Sequence, residues 1–320
     1  MRPKPVDLAD SREPVRLVVC IATCLRPDGL VRLLHALANA AFEEPAPHVE
    51  IVVIDNDAAG SARELCDAAR EWLPFELHYS IEKRRGIPQA RNAALAIAMP
   101  IADFVAFTDD DVEPTSGWLA ELLRVQSHYE ADVVTGPNPP RFLERPPSWV
   151  IEGGFLDSVR RRTGTPLQNA ATHNVLIRRR VLDQMDQLFD ERFGQHGGED
   201  SEFFRRLACM GHRIVWADEA IVHECIPASR TTRRWLVNRA YRVANGLASP
   251  QLRKLRGMTR SDVCVEAARC LARGARALIV SWRQGPASRV KALQLLASGV
   301  GWLTGMLGFR YSEYREIHGR

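Results

Sequence analysis

The sequence predicts an α/β fold with a doubly wound, mainly parallel sheet, followed by a basic helical region, and three observations carry this. Arg16–Ile21 (RLVVCI) is apolar after its first residue, as a strand buried on both faces should be. Similar runs recur with segments of helical spacing between them, giving β-α-β-α-β-α-β over the first third of the chain. From Ile226 to Lys291 fifteen Lys or Arg stand against two acids, Asp262 and Glu266, whereas residues 1–225 hold 25 basic and 35 acidic residues.

The elements follow in order. After the first strand, Leu30, Leu33, Leu34 and Leu37 mark a helix over 30–40. Val49–Ile54 is a second strand, Ser61–Leu73 a helix, Leu77–Ser80 a short third strand and Pro88–Ala98 a helix after a glycine turn. Phe104–Thr108 is the fourth strand. Trp118–Tyr129 reads as a helix and Val133–Gly136 as a strand, while the prolines of Pro137–Pro147 predict an irregular segment. Asn174–Arg178 is a strand, Asp200–Met210 a helix and Ile214–Trp216 a further strand, followed by Ala220–His223. From Thr231 the pattern is helical and basic, so the doubly wound body ends near Pro227.

Composition bounds the function. With 320 residues, 46% apolar and 26% charged, the chain can bury one large or two modest cores. A disordered tail, a collagen-like repeat and a solenoid are excluded as the main body. The start, MRPKPVDLADSREPV, lacks the apolar stretch of a secretory signal. Seven cysteines without C-x-x-C pairing read as free thiols in a reducing compartment. The basic region suggests an anionic partner, and membrane lipid, lipid-linked phosphate and nucleic acid all carry that charge. A solvated helix surface is the plain alternative.

Chemistry concentrates in two acidic clusters at strand ends and one at a helix start. In doubly wound sheets ligands bind beyond the carboxyl ends of the strands. Asp55, Asn56 and Asp57 follow strand two, and Asp109, Asp110 and Asp111 follow strand four. Three adjacent carboxylates repel one another unless a hard cation such as Mg²⁺ or Mn²⁺ sits among them. His196-Gly197-Gly198-Glu199-Asp200 places two carboxylates at the start of a helix, where its dipole favours their charged form. Asp is also a good helix cap, but two glycines ahead of an acidic pair suit close approach to a ligand better than capping alone. A carboxylate so placed can take a proton from an acceptor hydroxyl.

Taken in order, VVCIATCLR (18–26), VIDND (53–57), GIPQARN (86–92), FTDDDVEP (107–114), Trp118-Leu119, NVLIRR (174–179) and GGEDSEF (197–203) resemble the family-2 glycosyltransferases with the GT-A fold. The resemblance spans about residues 15–245, and within the family it is nearest to bacterial enzymes that extend lipid-linked exopolysaccharide repeat units. It implies metal-dependent, inverting transfer from a nucleotide-sugar donor, UDP-linked in most members, to a saccharide or lipid-linked acceptor. Thr23 and Arg26 would line the nucleotide pocket, with Asp55 near the base and Asp57 beside it. Arg91 and Asn92 would approach the nucleotide, as would Asp110. Asp109 and Asp111 would form the D-x-D pair, Asp111 being the direct ligand of Mg²⁺ or Mn²⁺. Asp200 would be the general base and Glu199 would hold an acceptor hydroxyl. A third metal-side ligand would come from Val222–Glu224, His223 before Glu224. The implied division is an extension at 1–14, a catalytic domain at 15–227 (donor half about 15–114, acceptor half about 115–227) and a basic helical region at 228–320.

Two departures bear on function. Processive members carry Gln-x-x-Arg-Trp; here Arg234-Trp235 survives but Thr231 stands in the glutamine's place, which points to transfer of a single sugar. His173 stands where the common pattern has glycine, and contact with the acceptor or simple packing would both account for it. Ala292–Phe309 has no charge over eighteen residues yet contains four glycines, so it reads as an interfacial or docked helix rather than a span. Together with the basic stretch it predicts reversible binding to anionic membrane, at the cytoplasmic face of an inner membrane, with no nucleic-acid partner. A sugar nucleotidyltransferase is the rival enzyme, but Ala22–Pro27 has no glycine where its phosphate loop would lie. A non-catalytic anionic-surface module leaves the acidic clusters unexplained.

Overall fold

The computed structural model describes residues 14–194, 197–281, 283–309 and 311; nearly all of the N-terminal extension, and His196 of the glycine-rich cluster, lie outside them. The first third alternates as expected: β1 (Arg16–Thr23), α1 (Pro27–Ala38), β2 (His48–Asp55), α2 (Arg63–Ala69), β3 (Glu76–Ile81), α3 (Ile87–Ala98) and β4 (Phe104–Asp109). Next come β5 (Val112–Pro114), α4 (Trp118–Tyr129), β6 (Val133–Thr135), β7 (Pro140–Phe142), α5 (Ser148–Gly153), β8 (Pro166–Leu167), β9 (Asn174–Arg178) and α6 (Arg179–Leu182). After a 3₁₀ turn at Glu191–Phe193 follow α7 (Glu199–Cys209), β10 (Ile214–Trp216) and β11 (Val222–Ile226). A second 3₁₀ turn, Ala228–Thr231, leads to α8 (Arg233–Leu247), α9 (Pro250–Leu255), α10 (Arg260–Ser281) and α11 (Pro286–Met306).

The main sheet runs β3-β2-β1-β4-β9-β6-β10-β8. It is parallel except for β9, which is antiparallel to β4 and β6, and β8, antiparallel to β10. Alternation along β1 explains its unbroken apolar run. Leu17, Val19 and Ile21 join the core under α1, α2 and α4, while Val18 and Cys20 join the opposite core under α3 and α7. Glu50 breaks the pattern in β2 and is buried; His78 Nε2 lies 2.7 Å from its carboxylate, and Arg16 and His48 lie within 3.6 Å.

A second sheet, β5-β11-β7, covers the carboxyl end of β4. The proline-rich 137–147 segment is therefore not wholly irregular. Its residues 140–142 pair with β11, and Pro140 is tolerated because β7 is an edge strand that need not donate every N–H.

The predicted C-terminal helical region is present, and its glycines have a packing role. A Cβ at Gly301 would collide with the Tyr241 carbonyl oxygen of α8, and one at Gly305 with that of Asn245. On the α10 side, a Cβ at Gly274 would meet Leu296, and one at Gly299 would meet Leu271. Ala292–Phe309 is thus built for close helix contact on two sides. Among the described residues no helix is long and apolar enough to cross a membrane.

Candidate active site

The three aspartates after β4 are held in different ways. Asp110 is buried: its Oδ2 accepts from Thr23 Oγ1 at 2.9 Å and its Oδ1 from Arg26 Nη1 at 2.8 Å. Burial pushes the Asp110 carboxyl up to about 6 against the pull of Arg26. Asp111 Oδ2 accepts from Arg230 Nη2 at 2.8 Å and from Arg26 Nη1 at 3.3 Å. Burial acts on Asp111 too, but Arg230 and Arg26 outweigh it and hold this carboxyl below its usual range. Asp109 is the most open of the three, its side chain 36% exposed. Helix α1 can approach this loop because Gly29 lacks a Cβ, which would strike the Asp110 carbonyl oxygen.

Arg91 joins the two acidic clusters. Its side chain is 5% exposed; Nη2 lies 3.3 Å from Asp109 Oδ1, and Nη1 donates to Glu199 Oε1. Gly197 and Gly198, at φ of 76° and 93°, turn the chain sharply into α7 and deliver Glu199 and Asp200 to this point. Glu199 is buried, and its Oε2 has no hydrogen-bond partner among the described residues. Burial raises its pKa; Arg91 opposes the shift and the neighbouring Asp200 adds to it. Asp200 is half-buried, with Oδ1 on the Ser201 N–H at 2.6 Å.

Other expected residues are brought to this edge and bonded into its framework. The Asn92 amide makes two hydrogen bonds, 2.9 and 3.0 Å, with the backbone of Phe189. That fixes the segment before α7 onto α3. Asp55 is fully buried and accepts from the N–H groups of Asp57 and Ala62 and from Tyr79 Oη, so it shapes the 56–62 loop. Asp57 accepts from the Ala59 N–H at 3.3 Å. Thr23 positions Asp110 rather than lining open space.

The third-ligand question turns on strand parity. In β11, His223 stands opposite Glu113 and Glu224 opposite Val112, so the two point to opposite faces. Glu224 is on the Asp111 side, its Oε1 3.3 Å from Arg230 Nη1. Asp109, Asp111 and His223 do not present three ligand atoms within 4.8 Å of one another. Among the described residues only Glu50, Glu76 and His78 do so, at the opposite end of their strands. Asn56, in the cluster after β2, anchors the 82–86 loop through Glu82 O, Arg84 O and the Gly86 N–H. Arg230 is a site residue that the sequence shows only as part of a basic stretch. Thr231, in the place of the processive glutamine, is buried and donates to Ala228 O at 2.8 Å, closing the turn that carries Arg230.

A mainly parallel sheet with acidic groups gathered past its β4 end, and a covering three-stranded sheet, defines a glycosyltransferase of the GT-A kind. The chain belongs to glycosyl transferase family 2, whose family model matches residues 18–186. It is 32% identical over 230 residues to the succinoglycan biosynthesis protein ExoM of Rhizobium meliloti (strain 1021), covering 72% of this chain and 73% of that protein. The fold is shared with the mannosyltransferase PcManGT from Pyrobaculum calidifontis, solved in complex with GDP-Man and Mn²⁺. That match has a TM-score of 0.61 and 20% identity, over 95% of this chain and 90% of the other. It is shared also with S. aureus TarS 1-349 in complex with UDP, at a TM-score of 0.52 and 16% identity, over 96% and 95% of the two chains.

Proposed function

We propose that this glycosyltransferase moves one sugar, with inversion, from a nucleotide-sugar donor to a hydroxyl of a lipid-linked saccharide in polysaccharide synthesis. One observation carries the reading: Arg91 ties Asp109 of the D-x-D edge to Glu199 at the start of α7, with Asp200 beside it half-buried. The likeness to a succinoglycan biosynthesis protein supports a polysaccharide acceptor, and solved relatives bound to UDP or GDP-Man support the donor class.

The residues fit a hard divalent cation. Asp109 and Asp111 offer carboxylate oxygens, and two guanidinium groups converging on Asp111 Oδ2 mark a point where positive charge is favoured. Asp111 would hold Mg²⁺ or Mn²⁺ with Asp109, and Glu224, which shares Arg230 with Asp111, is the candidate third ligand ahead of His223. When bound, the ion supplies positive charge opposite the leaving diphosphate. The remaining work falls to the chain. Asp200 accepts the acceptor's O–H proton while that oxygen bonds to the anomeric carbon. The bond from this carbon to the diphosphate oxygen breaks, and the nucleoside diphosphate leaves from the opposite face. Arg26 and Arg91 fix the carboxylates, and Glu199 acts by holding Arg91. A screen of UDP- and GDP-sugars should find metal-dependent donor turnover, abolished by Asp111→Asn. Full turnover in excess EDTA would refute the metal assignment.

In this reading residues 15–227 are the catalytic body and 228–320 bring it to the cytoplasmic face of a membrane. The outward strip of α10, Val265, Ala268, Ala272, Ala275 and Ile279 (81% exposed), is flanked by exposed Arg269, Arg273 and Arg276. Each Lys or Arg near an anionic surface adds about 1 kcal/mol, screened by salt. Co-sedimentation with liposomes should require anionic lipid and weaken with salt or on truncation after Ser249. Equal pelleting with neutral liposomes at high salt, or none at all, would overturn it.

A further inference from the structure

Arg230 has an arrangement that the scheme above does not use. It lies in the turn between β11 and α8, with its side chain 12% exposed. Nη2 donates to Asp111 Oδ2 at 2.8 Å and Nη1 to Glu224 Oε1 at 3.3 Å. Its guanidinium carbon lies 5.9 Å from the Trp235 ring centroid, and its Nε is buried without a hydrogen-bond partner among the described residues. A buried donor left unmade is costly, so Arg230 is not at its best-satisfied position.

Asp111 Oδ2 is, moreover, over-supplied with cations. Arg26 reaches the same oxygen at 3.3 Å but has its own partner, Asp110 Oδ1, at 2.8 Å. Arg230 has no comparable second anchor, since its contact with Glu224 is long. Of the two guanidiniums, Arg26 is tied in place by Asp110, whereas Arg230 is held at this edge chiefly by Asp111 and is the one a competing anion can draw away. A nucleoside diphosphate would offer it a paired-oxygen anion, which suits the planar fork of arginine.

We propose that Arg230 is a diphosphate-binding residue that acts by exchange. In the structure described it pairs with Asp111; with donor bound it would move to the diphosphate and leave that oxygen to the divalent ion. The inference rests on the reading that Asp111 faces a metal-bound nucleoside diphosphate. Two consequences follow, with opposite signs in one variant. The divalent ion must displace Arg230 from the free enzyme, so it binds weakly alone and more tightly with the nucleotide. Such coupling typically amounts to about 5–150-fold. Removing the charge strengthens metal binding to the free enzyme and weakens diphosphate binding.

Calorimetry on the full chain tests this with Mn²⁺ alone, and with UDP and GDP at saturating Mn²⁺. Arg230→Gln should bind Mn²⁺ several-fold more tightly without nucleotide, bind the preferred nucleotide about tenfold or more weakly, and lose most of the coupling. Arg230→Lys, which keeps the charge without the fork, should fall between wild type and Arg230→Gln in both titrations. It carries the test should the glutamine variant not fold. A wild-type protein that binds neither nucleotide with Mn²⁺ overturns the functional reading and the inference together. A wild-type protein that binds, with variants matching it in both titrations, overturns the role of Arg230 alone. So does a loss of nucleotide affinity with no gain in metal affinity, since that is what a merely structural arginine would give.

Discussion

Asp200→Asn is expected to cut sugar transfer by about 10²–10⁴-fold while leaving nucleotide binding nearly intact. The size follows from the loss of a positioned base, and the selectivity from the geometry. Asp200 is half-buried, and its Oδ1 accepts from the Ser201 N–H, which an asparagine oxygen can accept equally well. The groups expected to face the diphosphate, Arg26, Asp111 and Arg230, bond to one another and not to Asp200. Calorimetry with the nucleoside diphosphate, beside a transfer assay, separates the two effects. A variant that transfers at the wild-type rate would remove Asp200 from the role of base. A variant that loses nucleotide binding equally would make it a donor-site residue.

Arg91→Ala should produce the largest loss of stability. The side chains of Arg91 and Glu199 are 5% and 4% exposed, and Glu199 Oε2 already has no partner among the described residues. Breaking a buried pair by removing one member typically costs about 3–5 kcal/mol, because the remaining charge has neither water nor counter-ion. Glu199 would then take up a proton, the direction in which burial and Asp200 already push it. Asp109 loses a neighbour at the same time. Replacing both members with apolar groups, Arg91→Met with Glu199→Leu, removes the orphaned charge and should recover most of the stability without restoring transfer. Denaturant midpoints decide the matter: a single variant within 1 kcal/mol of wild type would mean that the pair is not what joins the clusters.

The parts of this molecule that were legible from sequence are those whose causes are local. β1 could be read because both of its faces are buried, so every side chain reports the same environment. The acidic triplet could be read because a strand end and adjacent like charges lie within a few residues. Strands β5, β7 and β11, by contrast, are three to five residues long, and their pairing is set by chain far away in sequence. Without that register, nothing distinguishes the face of His223 from that of Glu224. Arg91 and Asn92 stand out in the GIPQARN segment, but their partners lie 108 and 97 positions further on. A motif carries no record of such a distance. The contacts of Asp55 are hidden for a related reason: a carboxylate at a strand end can serve a ligand or its own loop, and Tyr79, which bonds to it, is on another strand.

The Asn92–Phe189 clamp and the Arg91–Glu199 pair have a consequence for engineering. Both ties run from α3 to the chain around the start of α7, and so cross the boundary between the proposed donor and acceptor halves near residue 114. A chimera that grafts the first half of one family member onto the second half of another keeps each half's own core, yet inherits these ties from two parents. A recipient with a different residue at the Glu199 position, or a loop of different length before α7, would take from the transplanted arginine its buried Glu199 partner and leave it the longer contact with Asp109. Donor preference is therefore transplantable as a unit only when α3 and the loop leading into α7 travel together.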